Sequence, residues 1–227
     1  PFWVKPFISV AQAAQENLVE TFWLAFTAVE AMGGSKVMVT KEKAKPDNPE
    51  EMRVSEKHFV FGNPTKGPWP EGLQVCIFAN GCFWGSEKGI WRLPGGGIYT
   101  TAVGYAGGFT ANPTYQQVCD GVTGHTEAVQ VVFDPGRISL VDILRWFWQS
   151  HDPTTYMSQG NDAGTQYRSA LYYMDDDQRQ LFEASKTAYE AALKKAGKGL
   201  GNKIETEIQA ASDFKQAFFY AEDHHQQ

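Results

Sequence analysis

Apolar positions recur along this chain in two rhythms, one of strand spacing and one of helix spacing. Leu73 to Ala79 is an apolar run of strand length, and Phe83 to Arg92 carries no breaker but Gly85 and Gly89 before Leu93-Pro94-Gly95 stops it. A strand, a tight turn and a helix are predicted there. Ile98 to Val103 reads as a second strand, followed by a glycine-dense loop at Gly104 to Gly108 and a turn at Asn112-Pro113. Thr114 to Cys119 is predicted to form one or two helical turns, and His125 to Phe133 alternates as a strand does. Ser139 with Asp142 resembles a capping box that opens a helix to Ser150, with Leu140, Ile143, Leu144 and Phe147 on one face. After a polar loop at residues 153–165, Gln166 to Met174 is a β-type run. Asp175 to Asp177 then caps a long helix that Gly197 and Gly199 end, and Ile204 to Ile208 is a short strand. The resulting order, strand, helix, strand, strand, helix, strand, helix, strand, predicts an α+β fold with helices packed on one face of a sheet.

The first 55 residues have a different texture. Residues 8–33 are predicted as an amphipathic helix, which Glu16, Glu20 and Glu30 make unsuitable for spanning a membrane, and 34–55 is charged, interrupted by Pro46 and Pro49, and reads as a linker. The expected division is therefore an N-terminal extension at 1–55, helix plus linker, and a catalytic domain at 56–227. A length of 227 residues suits one such domain with an appendage. Aromatic residues make up 14% of the chain, enough to furnish an aromatic-lined site as well as a core. Net charge is -6 with Lys and Arg scattered, which argues against a nucleic-acid partner. The 3 cysteines, at 76, 82 and 119, form neither a disulfide framework nor a zinc pattern. A reducing compartment, cytoplasmic or an organellar lumen, is expected, with no secretion, no membrane association, no metal and a monomeric state.

Cys82 stands at the predicted strand-to-helix turn, in Asn80-Gly81-Cys82-Phe83-Trp84-Gly85. Unpaired N–H groups and the positive end of the helix dipole point there, which is expected to favour the nucleophilic thiolate. Phe83 and Trp84 suit an apolar pocket beside the sulfur. Glu127 shares a strand face with Val129, Val131 and Phe133, so burial is expected to keep its carboxyl protonated and able to donate a proton; a place at the strand's solvated entrance fits the pattern equally. His125 falls on the same face and raises a rival, a Cys82–His125 nucleophile-base pair of hydrolase type. Cys76 lies inside an apolar strand and reads as core, while Cys119 closes a short helix and is either packed or within reach of Cys82.

Gly81 to Gly85 resembles the signature of the A-type peptide methionine sulfoxide reductases. So do Gly104-Tyr105-Ala106-Gly107-Gly108, Asn112-Pro113-Thr114-Tyr115, Gly124-His125-Thr126-Glu127, His151-Asp152-Pro153, Gln159-Gly160-Asn161-Asp162, Gly164-Thr165-Gln166-Tyr167-Arg168-Ser169 and Tyr220-Ala221-Glu222-Asp223. Eight motifs in the family's order, from about Gly72 onward, carry the resemblance. It implies a ferredoxin-like mixed sheet, Cys82 as nucleophile, Glu127 as proton donor, Tyr115 and Tyr167 as hydrogen-bonding tyrosines, Phe83 and Trp84 around the S-methyl group, and Asp162 on the substrate. It implies reduction of peptide-methionine (S)-S-oxide, in proteins or as the free amino acid, through a cysteine sulfenic acid. Thioredoxin or another thiol would be the reductant, with no cofactor. A module that only binds oxidised methionine is the alternative of another class. Two departures stand out: Ser158 occupies a position where the family usually has Arg, and no cysteine follows Cys119 in this sequence, so either the sequence is truncated or recycling is expected to use Cys119 or an external thiol, with Cys119 itself expected to be packed.

Overall fold

The structure, a computed structural model, describes residues 34–197 and 203–227; the helix predicted at 8–33 and the stop at Gly199 lie outside the described residues. Its centre is a six-stranded sheet in the order β7-β6-β1-β3-β2-β8. The strands are β1 (Gln74–Asn80), β2 (Ile98–Ala106), β3 (Thr126–Phe133), β6 (Ser169–Tyr173), β7 (Glu207–Ala210) and β8 (Phe219–Tyr220), and a separate small hairpin joins β4 (Ser158–Gln159) to β5 (Asp162–Ala163). Four central strands, with α1 (Phe83–Ile90) after β1 and α3 (Leu140–Gln149) after β3, follow the β-α-β-β-α-β order that the resemblance implied. β3 lies antiparallel between β1 and β2, and only β7 runs parallel to its neighbour, which makes the sheet mixed.

Each face of the sheet has its own cover because strand residues alternate sides. Phe78, Val103, Val129, Val131, Phe133 and Leu171 meet Ile90 of α1, Ile143, Leu144 and Phe147 of α3, and Phe182 of α4 (Asp176–Lys195). The opposite face is poor in bulk: Ile77, Ala79, Ala102, Ala106, Ala128 and Ala170 leave room for the C-terminal stretch bearing Phe214, Ala217 and Phe218 to lie close against it. The capping box at Ser139 and Asp142 forms as predicted, and Asp175 caps α4 by accepting from the Gln178 N–H. Gly197 then ends α4 at a positive φ of 66°.

Several boundaries differ from the sequence reading for identifiable reasons. Gly104 to Ala106 is strand, not loop, and pairs with Thr126 to Ala128. Gly104 is there because a Cβ would overlap the Phe219 carbonyl and the Phe218 ring, and Gly107 because its φ is +69° and a Cβ would meet the Tyr172 hydroxyl. Residues 204–206 are extended, but the Glu205 N–H donates to the Pro153 carbonyl at 2.8 Å, so pairing with β6 begins only at Glu207. The polar loop at 153–165 contains the β4–β5 hairpin, and Thr165–Tyr167 is a turn of 3-10 helix, not the start of a strand. Residues 34–55 are not a free linker. They lie against the sheet domain through hydrogen bonds from Gly34 N to Ala163 O (2.6 Å), Lys45 N to Val122 O (2.9 Å) and Asn48 N to Ala111 O (3.0 Å).

Candidate active site

Three segments converge on Cys82. The first is its own turn, where Cys82 caps α1 with an exposed side chain and the Trp84 and Gly85 N–H groups face its sulfur. Those donors favour the thiolate as expected, yet they lose: the crowding of protein around the sulfur and the Glu127 carboxylate push the thiol up to about 11. The sulfur therefore rests as a thiol and not as the expected thiolate, because one turn of helix supplies only fixed dipoles whereas burial opposes the charge directly.

The second segment is β3. Glu127 is 1% exposed and points to the helix side of the sheet with Val129, Val131 and Phe133. Its carboxylate oxygen Oε2 accepts from the Phe83 backbone N–H at 2.9 Å, which ties it to the residue after the cysteine. Burial outweighs that bond and pushes the acid up to about 8, so at neutral pH Glu127 holds its proton. The solvated-entrance reading of Glu127 is excluded by this burial.

The third is the run from Asp162 on β5 to Tyr167. Gln159, opposite Asp162 in the hairpin, lies where any side chain at Gly81 would be, with its Cγ 2.8 Å from a Cβ built there, and Gly81 itself has a φ of +101°. Asp162 is close enough for its charge to raise both the Cys82 thiol and the Glu127 carboxyl, and its own pKa is raised by burial. Tyr167 is 4% exposed and feels Glu127, Asp162, Cys119 and Cys82. Its turn is fastened by Arg168, a fully enclosed guanidinium that donates to Thr165 O (2.9 Å), Gly107 O (3.1 Å), Gly124 O (3.1 Å) and Glu207 (3.1 Å). Such a cation is tolerated inside because every face of its fork finds an oxygen.

Tyr115 opens the short helix α2 (Tyr115–Cys119), and its phenol bonds to Cys119 while lying within electrostatic reach of Glu127 and Tyr167. Burial pushes both tyrosine hydroxyls up, so they stay protonated and can donate. Cys119 is half-buried and engaged with Tyr115, inside the polar cluster and not simply packed in core. Cys76 is 2% exposed and pushed up to about 12, a core residue as expected.

Phe83 and Trp84 divide their work. Phe83 is 2% exposed, 6.5 Å from the Tyr115 ring, and floors the site; Trp84 is 58% exposed and forms an outer wall. The indole N–H donates to His225 Nδ1 at 3.2 Å, and the His225 ring lies 4.6 Å from Tyr115. Glu222 receives the Tyr115 N–H and the Tyr105 hydroxyl, each at 2.8 Å. These two tail residues were missed as individuals, although Glu222 lies within a motif that was noticed. His125 takes no part: it packs edge-on against Phe219 at 5.6 Å and burial keeps it neutral, down to about 3, which removes the hydrolase-type pairing.

The family model described as peptide methionine sulfoxide reductase matches residues 74–227. The chain belongs to that family. Peptide methionine sulfoxide reductase MsrA 1 of Synechocystis is 50% identical over 198 residues, covering 87% of this chain and 85% of its own. MsrA of Salinispora arenicola is 49% identical over 190 residues, covering 84% and 82%. Methionine sulfoxide reductase A of Corynebacterium diphtheriae superposes with a TM-score of 0.75 at 38% identity, covering 84% of this chain and 89% of that one. The 198-residue match is longer than residues 56–227, so similarity to methionine sulfoxide reductases reaches into residues 1–55. The chain is an enzyme that reduces methionine sulfoxide. Among the described residues no helix is long and apolar enough to cross a membrane, and no group of three His, Cys, Asp or Glu is arranged to hold a metal.

Proposed function

We propose that Cys82 attacks the sulfoxide sulfur while Glu127 delivers its proton to the sulfoxide oxygen, with the Tyr115 and Tyr167 hydroxyls donating to the same oxygen. The observation that carries this reading is a proton-bearing carboxyl, buried to 1% exposure and hydrogen-bonded to the residue next to an exposed cysteine. Sulfur becomes electrophilic only as charge on oxygen is neutralised, so nucleophile and acid must act together. Attack at sulfur forms an S–S bond between Cys82 and the substrate as the oxygen takes up its proton; the hydroxyl then passes to the Cys82 sulfur while that S–S bond and the sulfoxide S–O bond break, so the methionine thioether leaves and Cys82 becomes a sulfenic acid. Two equivalents of thiol then return Cys82 to its thiol, yielding water and a disulfide.

Phe83 and Trp84 hold the S-methyl group and Asp162 contacts the substrate at the rim. Fixing sulfur, oxygen and methyl at three different places leaves one direction for the rest of the substrate, so the site distinguishes the epimers; the S hand is the one the A-type resemblance implies. Free methionine sulfoxide and oxidised methionine in proteins both present these three groups. The reductant is thioredoxin or another thiol, which requires a thiol-reducing compartment. The test is a mass spectrum of the protein after one equivalent of methionine sulfoxide, with a gain of one oxygen on the Cys82 peptide expected. Release of methionine with no oxidation of Cys82 would overturn the mechanism.

A further inference from the structure

The segment 34–48 lies outside the span matched by the family model, yet it touches the run from Asp162 to Tyr167 and the short helix α2, the two elements that carry Tyr167 and Tyr115. Gly34 N donates to Ala163 O at 2.6 Å and Thr165 N to Ser35 O at 2.9 Å, gripping the run from Asp162 to Tyr167. Thr110 Oγ1 donates to Lys45 O at 2.6 Å and Lys45 N to Val122 O at 2.9 Å, one contact before α2 and one after it. Asn48 makes the densest contact. Its Nδ2 donates to Asn112 O (2.8 Å) and to Gln117 Oε1 (2.7 Å), its Oδ1 accepts from Gln117 Nε2 (3.3 Å), and its carbonyl accepts from Asn112 Nδ2 (3.0 Å).

Gln117 is also the residue that closes the cap of α2, taking the Thr114 N–H on Oε1 at 3.2 Å. The Asn48 carboxamide thus backs the first turn of a helix only five residues long, whose first residue is Tyr115. So short a helix cannot hold its own direction and takes it from tertiary contacts. We propose that Asn48 is a positioning residue for Tyr115, and that segment 34–48 is the scaffold on which the sulfoxide oxygen is received. The proposal rests on the reading of Tyr115 as a donor to that oxygen. No group in the Asn48 contact titrates, so its loss acts through placement and leaves proton demand as it was.

The test uses the full chain as Asn48→Ala, Tyr115→Phe and the double variant, measuring the single-turnover rate of methionine formation at saturating methionine sulfoxide, its pH dependence, and the half-saturation concentration. Asn48→Ala is expected to slow the rate on the order of tenfold, since misplacing a reacting group by 1 Å costs up to about a hundredfold. Half-saturation should stay within about twofold, because a donor that acts in the transition state changes rate more than binding. The pH profile should keep its shape, and in the Tyr115→Phe background Asn48→Ala should cost nothing more. If Asn48→Ala fails to fold, Asn48→Asp, which is isosteric but turns two donated bonds into facing acceptors, is read in the same cycle. An unchanged rate in Tyr115→Phe overturns the reading of Tyr115 and the proposal with it. A loss in Tyr115→Phe, combined with an Asn48 variant that is unaffected or loses the same factor in both backgrounds, overturns the positioning role alone.

Discussion

In the proposed mechanism Cys82 and Glu127 need opposite protonation states to react, and their pKa values lie in the unhelpful order: the acid is pushed up to about 8 and the thiol to about 11. When the pair has lost one proton, the form carrying thiolate beside carboxylic acid is the minority. The bound sulfoxide draws on that form. The sign follows: below about 8 both groups are protonated and the rate rises with pH as the pair loses its first proton; it levels between about 8 and 11, and falls above as Glu127's proton is gone from the reactive form. Single-turnover rates at low methionine sulfoxide check this, and a rate independent of pH below about 8 would contradict it. Glu127→Gln should slow oxygen transfer by about two to four orders of magnitude, the usual worth of a general acid. Because it also removes a facing negative charge, the Cys82 thiol in that variant should titrate below about 11, which thiolate absorbance will read. Cys82→Ser should abolish reduction, since an alcohol there stays un-ionised.

At the scale of elements, the site depends on glycines that let backbone segments touch. Gly107 follows β2 with a φ of +69°, and a Cβ there would meet the Tyr172 hydroxyl, next to the Gly107 carbonyl that Arg168 grips. Gly107→Ala should therefore destabilise the protein by about 1–3 kcal/mol from left-handed strain and overpacking, measured as a lower urea midpoint with unchanged slope. This is also where sequence reading stopped short. The apolar pattern was enough for β1, β3, α3 and α4, because the strands are apolar runs of strand length and each helix has a side-chain cap or a glycine stop. Glu127 was only half legible, since the alternation fitted an apolar face and a solvated entrance equally and its 1% exposure in the fold decides between them. The extension of β2 through Gly104 to Ala106 was not, since glycines chosen for close approach look identical to glycines chosen for a loop. The attachment of residues 34–55 was hidden for a related reason: Asn48 and Lys45 bind through backbone and carboxamide groups, which leave no periodic signal. Cys82 was found by its flanking residues, but its charge state was misread, because local helix geometry is visible in sequence and the Glu127 carboxylate that faces it across the fold is not.

On the scale of the whole molecule, the open question after oxygen transfer is which sulfur reduces Cys82. Cys119 is the other cysteine in the polar cluster, and its surroundings argue against the task. Its sulfur is engaged by the Tyr115 phenol and its ionisation is opposed by burial and by Glu127, pushing the thiol up to about 11. Cys82 meets the same opposition, so what counts against Cys119 is that its sulfur is already engaged by the Tyr115 hydroxyl. Glu127 and Tyr167 are neighbours common to the two sulfurs, and they carry the proton chemistry of the first step. Closing a disulfide requires the two Cα atoms to lie within about 7 Å and would use up the sulfur that Tyr115 engages. The exposed side of Cys82, by contrast, admits a small thiol directly. For these 227 residues, dithiothreitol should therefore sustain many turnovers, thioredoxin alone should sustain few, and Cys119→Ser should leave both rates nearly unchanged because serine can still accept from the Tyr115 hydroxyl. The measurement is methionine formed per enzyme over time with each reductant. Thioredoxin-driven turnover that is efficient in the parent and lost in Cys119→Ser would make Cys119 the resolving thiol.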